Sequence, residues 1–470
     1  MELKKVLTVQ LLYGLCCGLQ RIKEEKRMEN QNVYEKPVTL GHIFKFAVPT
    51  IAMTVFMSFY TMVDGLFVSN LIGTDALSAI NLTAPVIQLV TAISTMLATG
   101  GSAVIMKKMG EQKCGEAKED FTFLILVNAL AGILMCAAGY LVMDDIFAGM
   151  HLSAGVEGYC VEYLGRYLLF TVPILLMNNF TLYMIASGKA ALSLVCSVTG
   201  GVLNMVLDYV FLAGFGMGIS GAAVATGLGY SVTAVVGLFV FSRKKSLLHF
   251  KKPAFRLKVL ANAAVNGCSE MASALVTGII TMMFNWTMLR YAGEDGVAAV
   301  TVVMYVLMFA SSLYTGYSYG VAPMLSYYHG ERNHEKLKKL VAVSLKVVAG
   351  ISLVTVAASF MLTGPLVSVF ARPDNPVYDL AVTGNRICTV ALFFIGFNIF
   401  ASGMFTALSN GVVSAVLAFS RSFVFMLAAM TVLPLLLGVN GIWLATPVAE
   451  LMALALSVFM FLKHRKKYGY

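Results

Sequence analysis

Twelve long apolar runs separated by short polar turns limit what this chain can fold into more than any other feature. A helix needs about 20 mostly apolar residues to cross the hydrocarbon core of a bilayer. Runs of that kind fall at roughly 41–70, 85–106, 121–143, 159–187, 190–213, 219–242, 257–289, 297–326, 337–362, 380–408, 412–437 and 441–462. Lipid leaves no water to satisfy a bare backbone, and these runs are too long and too uniformly apolar for barrel strands. The expected fold class is therefore an all-α polytopic membrane protein with twelve transmembrane helices. Composition agrees, since 59% of residues are hydrophobic and 12% charged, too few charges to cover a soluble body of this size. The net charge of +10 does not point to nucleic acid, because the basic residues lie in short clusters between the apolar runs.

Those clusters set the expected orientation. Lys107, Lys108, Lys113 and Lys118 follow the second run, and seven more basic residues occupy 243–258. Arg332, Lys336, Lys338 and Lys339 follow the eighth run, and Lys463, Arg465, Lys466 and Lys467 close the chain. Lysine and arginine mark cytoplasmic loops, so both termini are expected in the cytoplasm and the protein in the cell membrane. Val6 to Leu19 is apolar but too short to span, so residues 1–40 read as a cytoplasmic N-terminal segment, with Met28 as an alternative start.

A shift of 220 residues aligns the chain with itself. It pairs Gly73 with Gly293, Asp75 with Asp295, Gly100 with Gly320, Gly110 with Gly330, Glu111 with Glu331, Gly221 with Gly441 and Thr226 with Thr446. Six spans separate matched positions, so both copies point the same way through the membrane, one of the designs transporters use. The expected organisation is two pseudo-symmetric six-helix lobes, 41–242 and 257–462, joined by a cytoplasmic linker at 243–256 and followed by a tail at 463–470.

Polar groups at membrane depth are costly and need a reason. Asp64 falls late in the first span, Asp208 late in the fifth with Asn204 one turn before it. Asn178 and Asn179 in the fourth span and Thr226 in the sixth add oxygen ligands in the same half of the chain. Such a set suits a proton or a small cation; a hydrogen-bonded packing core is the other reading. In the second half Glu270, Arg421 and Glu450 form a possible C-lobe polar network, where a structural acid–Arg pairing is favoured. Tyr305, Tyr314 and Tyr317 in the eighth span are candidate walls of a substrate cavity, with interface or packing roles as the alternative.

Catalysis is not expected. Gly218-Ile219-Ser220-Gly221 matches a GxSG serine motif, yet His42, His151, His249, His329, His334 and His464 all fall at span ends, loops or tails. Neither the eight cysteines, which contain no CxxC pair, nor the histidines form a metal site.

Pro49, Met62-Val63-Asp64-Gly65, Leu71-Ile72-Gly73-Thr74-Asp75-Ala76-Leu77, Leu203-Asn204-Met205-Val206-Leu207-Asp208 and Gly216-Met217-Gly218-Ile219-Ser220-Gly221-Ala222-Ala223 together resemble the multidrug and toxic compound extrusion family, over about 41–463. The resemblance implies an antiporter without a resident cofactor, coupled to transported H+ or Na+, that exports amphipathic, cationic small molecules by alternating access. A flippase for a lipid-linked precursor is the alternative. It implies that Asp64, Asp208, Asn178 or Asn179, Asn204 and Thr226 form a cation site in the first lobe, and that helix 1 bends at Pro49. Members with a C-lobe sodium site are similar in having a helix-7 Glu and a helix-10 Asp. Here those positions fall near Gly278 and on Asn398, which places Asn398 among the C-lobe polar residues and shifts the expected coupling site to the first lobe. The expected partners are a small-molecule substrate and the bilayer, with no nucleic acid, and the expected state is a monomer.

Overall fold

The computed structural model describes residues 33–71, 74–150 and 152–470, and every span in it is helical. Two compact units are distinguished, Met1–Val38 and Thr39–Tyr470. Of the first, residues 33–38 are described, with a turn of 3-10 helix at Val33–Glu35; the apolar run at 6–19 and the alternative start at Met28 lie outside the described residues.

The second unit contains α1 (Leu40–Leu71), α2 (Thr74–Gly110), α3 (Cys114–Gly149), α4 (Ala154–Leu169), α5 (Thr171–Ala186), α6 (Ala190–Asp208) and α7 (Gly218–Ser242). It continues with α8 (Leu257–Glu331), α9 (His334–Met361), α10 (Thr363–Ser368), α11 (Pro376–Thr389), α12 (Leu392–Ala407), α13 (Gly411–Phe419), α14 (Met426–Leu437) and α15 (Val439–Tyr468). Nine helices among the described residues are long and apolar enough to span, and two bent pairs bring the number to eleven. The twelfth span comes from α8. Its 75 residues would reach about 112 Å as one rod, far beyond a hydrocarbon core of about 30 Å. The rod is broken at Gly293, whose φ of 66° and ψ of −156° are open only to glycine. The fold is thus twelve transmembrane helices in two pseudo-symmetric lobes.

The repeat is visible in the backbone as well as the sequence. Gln112 and Arg332, 220 residues apart, both take the left-handed conformation just past α2 and α8, and Gly218 and Gly438 both have positive φ where α7 and α15 begin. The fourth and tenth spans bend by 53° and 52°, at Phe170 and Val390, again 220 residues apart. Hydropathy shows neither bend. Near the first, Pro173 takes a backbone donor from the opening turn of α5. Near the second, the Thr389 hydroxyl donates back to the Asn385 carbonyl at 2.7 Å, a competition with the helix ladder that bends helices.

The lobes touch at one end. A Cβ at Gly100 would fall on the Ala263 carbonyl, one at Gly110 on the Tyr327 carbonyl, one at Gly330 on the Lys107 carbonyl, and one at Gly320 within 2.8 Å of Ala47 Cα. Only glycine permits such backbone approach. Thr54 Oγ1 also donates to the Ser312 carbonyl at 2.8 Å, joining α1 to α8. The glycine contacts lie in the half of the bundle that carries the basic turns, and the Thr54–Ser312 bond lies near its middle. Farther along α8 the lobes part: the face that is buried at Ala263 and Gly267 is exposed at Gly278 and Thr281.

An ion cluster ties the linker to the first lobe at the same end. Buried Asp120 on α3 pairs with Lys108 of α2 and, at 3.1 Å, with Arg256. Arg256 is the residue that precedes α8, and it also reaches Glu119 at 3.1 Å. Lys251 pairs with Glu119 at 2.8 Å.

Candidate functional site

Fully buried Asp208 closes α6 and is followed by a π-helical turn, Tyr209–Gly214. Such turns widen a helix locally and recur at functional sites. One turn before Asp208, the Asn204 amide donates to Thr226 Oγ1 on α7 at 3.3 Å. What lets the two meet is a glycine crossing: a Cβ on Gly200 would sit 2.5 Å from the Gly229 carbonyl, and one on Gly229 would sit 2.7 Å from the Gly200 carbonyl. Asn204 Oδ1 is buried with no hydrogen-bond partner among the described residues. A buried acceptor without a donor is an unpaid desolvation cost of about 1–3 kcal/mol, and a cation or a proton-bearing group is what removes it. Nearby, α1, α5, α6 and α7 enclose a space of about 10 Å³ beside Tyr60, Gly200 and Gly229, room for roughly one water.

Asn179 is held elsewhere. It donates to Asn128 Oδ1 on α3 at 2.9 Å, receives a bond back from the Asn128 amide at 3.3 Å, and donates to the Leu175 carbonyl. This reciprocal pair fastens α5 to α3, a role the sequence did not suggest because nothing marked Asn128. Asn178 is half-buried on the neighbouring face. The side chain of Asp64 lies outside the described residues; its backbone belongs to α1. Pro49 lies within α1, which runs unbroken from Leu40 to Leu71, in the stretch that meets α8 at Gly316 and Gly320.

The C-lobe residues divide. Arg421, in the π turn Ser420–Phe425, donates through Nε to both Glu450 carboxylate oxygens at 2.8 and 3.0 Å. Asn398, 220 residues after Asn178, donates to the same carboxylate at 2.8 Å and to the Glu450 carbonyl at 2.9 Å, and accepts from Ser457 at 2.9 Å. No hydrogen bond among the described residues ties Glu270 into this network, although the Arg421 charge acts on it. It lines a separate cavity of about 40 Å³ between the lobes, with Thr99 and Ser102 of α2 and Ser318, Tyr319 and Thr406 of the second lobe.

Two of the three tyrosines follow the packing alternative rather than the cavity reading. Tyr314 and Tyr317 are fully buried. Tyr314 bonds Thr355 at 2.6 Å and the Leu392 carbonyl at 2.9 Å, and Tyr317 donates to Ser344 at 2.9 Å. They lock α8 to α9 and α12, whereas Tyr305 borders a cavity of about 380 Å³. Ser220 of the GxSG match donates to the Met217 carbonyl at 2.9 Å as part of the α7 opening turn. Among the described residues no cluster of histidine, cysteine, aspartate or glutamate is placed to hold a metal ion.

The sequence model of the MatE family matches residues 49–210 and 271–431, one segment in each lobe. This chain belongs to the MATE family. MATE proteins are membrane transporters and not enzymes. Among curated MATE relatives, the multidrug export protein MepA of Staphylococcus haemolyticus is 21% identical over 436 residues, 92% of this chain and 96% of the relative. MepA of a Staphylococcus aureus strain is 20% identical over 440 residues, 93% and 97% of the two chains. Among solved structures, a MATE protein in complex with MaL6 superposes with a TM-score of 0.85 at 23% identity, covering 91% of this chain and 95% of that one. An outward-facing multidrug resistance MATE transporter gives 0.84 at 23%, with the same coverage. That likeness extends to the twelve-helix MATE fold.

Proposed function

We propose that this MATE chain is a cation-coupled exporter of amphipathic, cationic small molecules, working as a monomer in the cell membrane with both termini in the cytoplasm. The observation that carries the reading is the buried cluster in the first lobe: Asp208, the Asn204–Thr226 pair, and an Asn204 oxygen with no donor among the described residues. Asp64, on the adjoining helix, is its second carboxylate in this proposal, with Asn178 or Asn179 able to complete an oxygen shell if Na+ rather than H+ is the coupling ion. Export is what the multidrug relatives' names record for those proteins. Closure at the basic end with separation at the other matches the state in which an exporter would release its cargo outward. Ion binding at the cluster lets α1 bend at Pro49, closes the first lobe's cavity and disfavours bound substrate.

Transport in vesicles with separately imposed proton and sodium gradients tests this. Wild-type protein should drive dye efflux under at least one gradient. Asp64→Asn, reaching the membrane at normal levels, should lose gradient-driven efflux; if it transports as well as the parent, the coupling site lies elsewhere. A flippase for lipid-linked pyrophosphates would call for clustered cations in the cleft. Arg421, the clearest mid-membrane cation, is instead engaged by Glu450, which favours export.

A further inference from the structure

A cavity of about 380 Å³ lies at the seam between the lobes, in the half of the bundle away from the basic end. Ser58, Phe59 and Met62 of α1 form one wall, and α8, α9 and the segment around α10 form the other. Its volume is that of a ligand pocket. Its chemistry is unlike that of the buried cluster: among the described residues no lysine, arginine, aspartate or glutamate lines it. Two of its polar groups are already engaged within the protein. Thr355 bonds Tyr314 and the Ile351 carbonyl, and Ser359 bonds Thr389 at 2.7 Å and Asn385 at 3.3 Å. The Tyr305 ring stacks on Phe370 with centroids 5.7 Å apart. Apart from Ser58 and Tyr305, the other described lining residues are apolar.

The rim says what fills it. Phe59, Phe309, Leu362 and Phe370 are 41–50% exposed, and they continue the exposed apolar surface of α9 at Leu353, Val354, Phe360 and Met361. In a chain that crosses the bilayer, that surface faces lipid. The cavity therefore opens on acyl chains rather than on water. Exposed Arg372 stands two residues beyond Phe370, where the chain leaves the apolar zone and a cation can meet a lipid phosphate.

We propose that this seam is a lipid site, taking one acyl chain of a bilayer phospholipid with its phosphate toward Arg372. Each lobe supplies a wall, so the chain fits only while the lobes are apart at this end. Bound lipid is then a ligand of this conformation alone and shifts the equilibrium toward it. The inference rests on the chain spanning the bilayer, not on the exporter reading, and either can fail without the other.

Photocrosslinking of the full-length protein in phospholipid bilayers tests the site, using a phospholipid with a diazirine in one acyl chain and, separately, a single-chain alkylammonium diazirine. The phospholipid probe should label peptides containing 305–313 and 355–370. Ala358→Trp, a substitution at an exposed wall position, should abolish that labelling, whereas Ala357→Trp, exposed on the same helix but outside the cavity wall, should keep it. Arg372→Gln should weaken labelling by the phospholipid probe. Labelling that survives Ala358→Trp, or that appears only with the alkylammonium probe, overturns the proposal; the second result would assign the space to an exported amphiphile.

Discussion

Arg421 and Glu450 form the buried ion pair whose value depends on both partners. Removing one member of such a pair leaves an uncompensated charge and costs about 3–5 kcal/mol, while replacing both with apolar residues of similar volume is often close to neutral. Glu450 is 5% exposed and is also held by Asn398, so relief by solvent is slight. Arg421→Met alone and Glu450→Met alone are both expected to lower the thermal unfolding midpoint in detergent, and the double variant should recover most of the loss. A double variant no more stable than either single one would mean that the pair is not a closed structural unit. Glu270 makes no hydrogen bond to Arg421 among the described residues but lies within reach of its charge, at the small cavity between the lobes, so its neutral replacement Gln should be tolerated in the folded protein.

At the level of elements, close helix crossings rather than loops join the lobes. Along α2 and α8, glycines at equivalent repeat positions bring backbones together at the basic end. A Cβ on Gly320 would sit 2.6 Å from Thr50 Oγ1 and 2.8 Å from Ala47 Cα, contacts that force α8 away from α1. Gly320→Leu should therefore fold within each lobe yet hold the basic end ajar. Spin labels at exposed positions 112 and 332, which flank the Gly110 and Gly330 crossings, should report a longer and broader distance in this variant than in the parent. An unchanged distance would show that the glycine contact does not set closure. The ion cluster that Asp120 makes with Lys108 and Arg256 belongs to the same seam, since Arg256 begins the first helix of the second lobe while Asp120 belongs to the first.

For the whole molecule, twelve spans and the placement of basic turns give a topology that can be tested directly. In a cysteine-free background, single cysteines at 145 and 374 should react with an impermeant reagent added outside intact cells, and cysteines at 113, 245 and 338 should not. Outside labelling at 245 would overturn both the orientation and the placing of the linker in the cytoplasm. The number of spans and the repeat were legible from residue order alone, because hydropathy is a local property and a bilayer admits few ways to satisfy a buried backbone. Gly100, Gly110, Gly320 and Gly330 stood out as repeat positions before any contact was known. The same sequence gave little sign of which way each helix turns. Most of these helices are apolar on every side, so no amphipathic stripe tells the core face from the lipid face. For that reason Tyr314 and Tyr317 stood open between cavity-wall and packing roles until burial placed them in the packing, and the way Glu270 meets the Arg421–Glu450 pair was not legible. Asn128, which holds Asn179 from a helix about 50 positions earlier in the chain, carried no local mark of that role. Rotation of each helix about its axis, and with it the sorting of polar groups into structural pairs, the N-lobe cluster and cavity walls, was decided only by the packing of segments far apart in sequence.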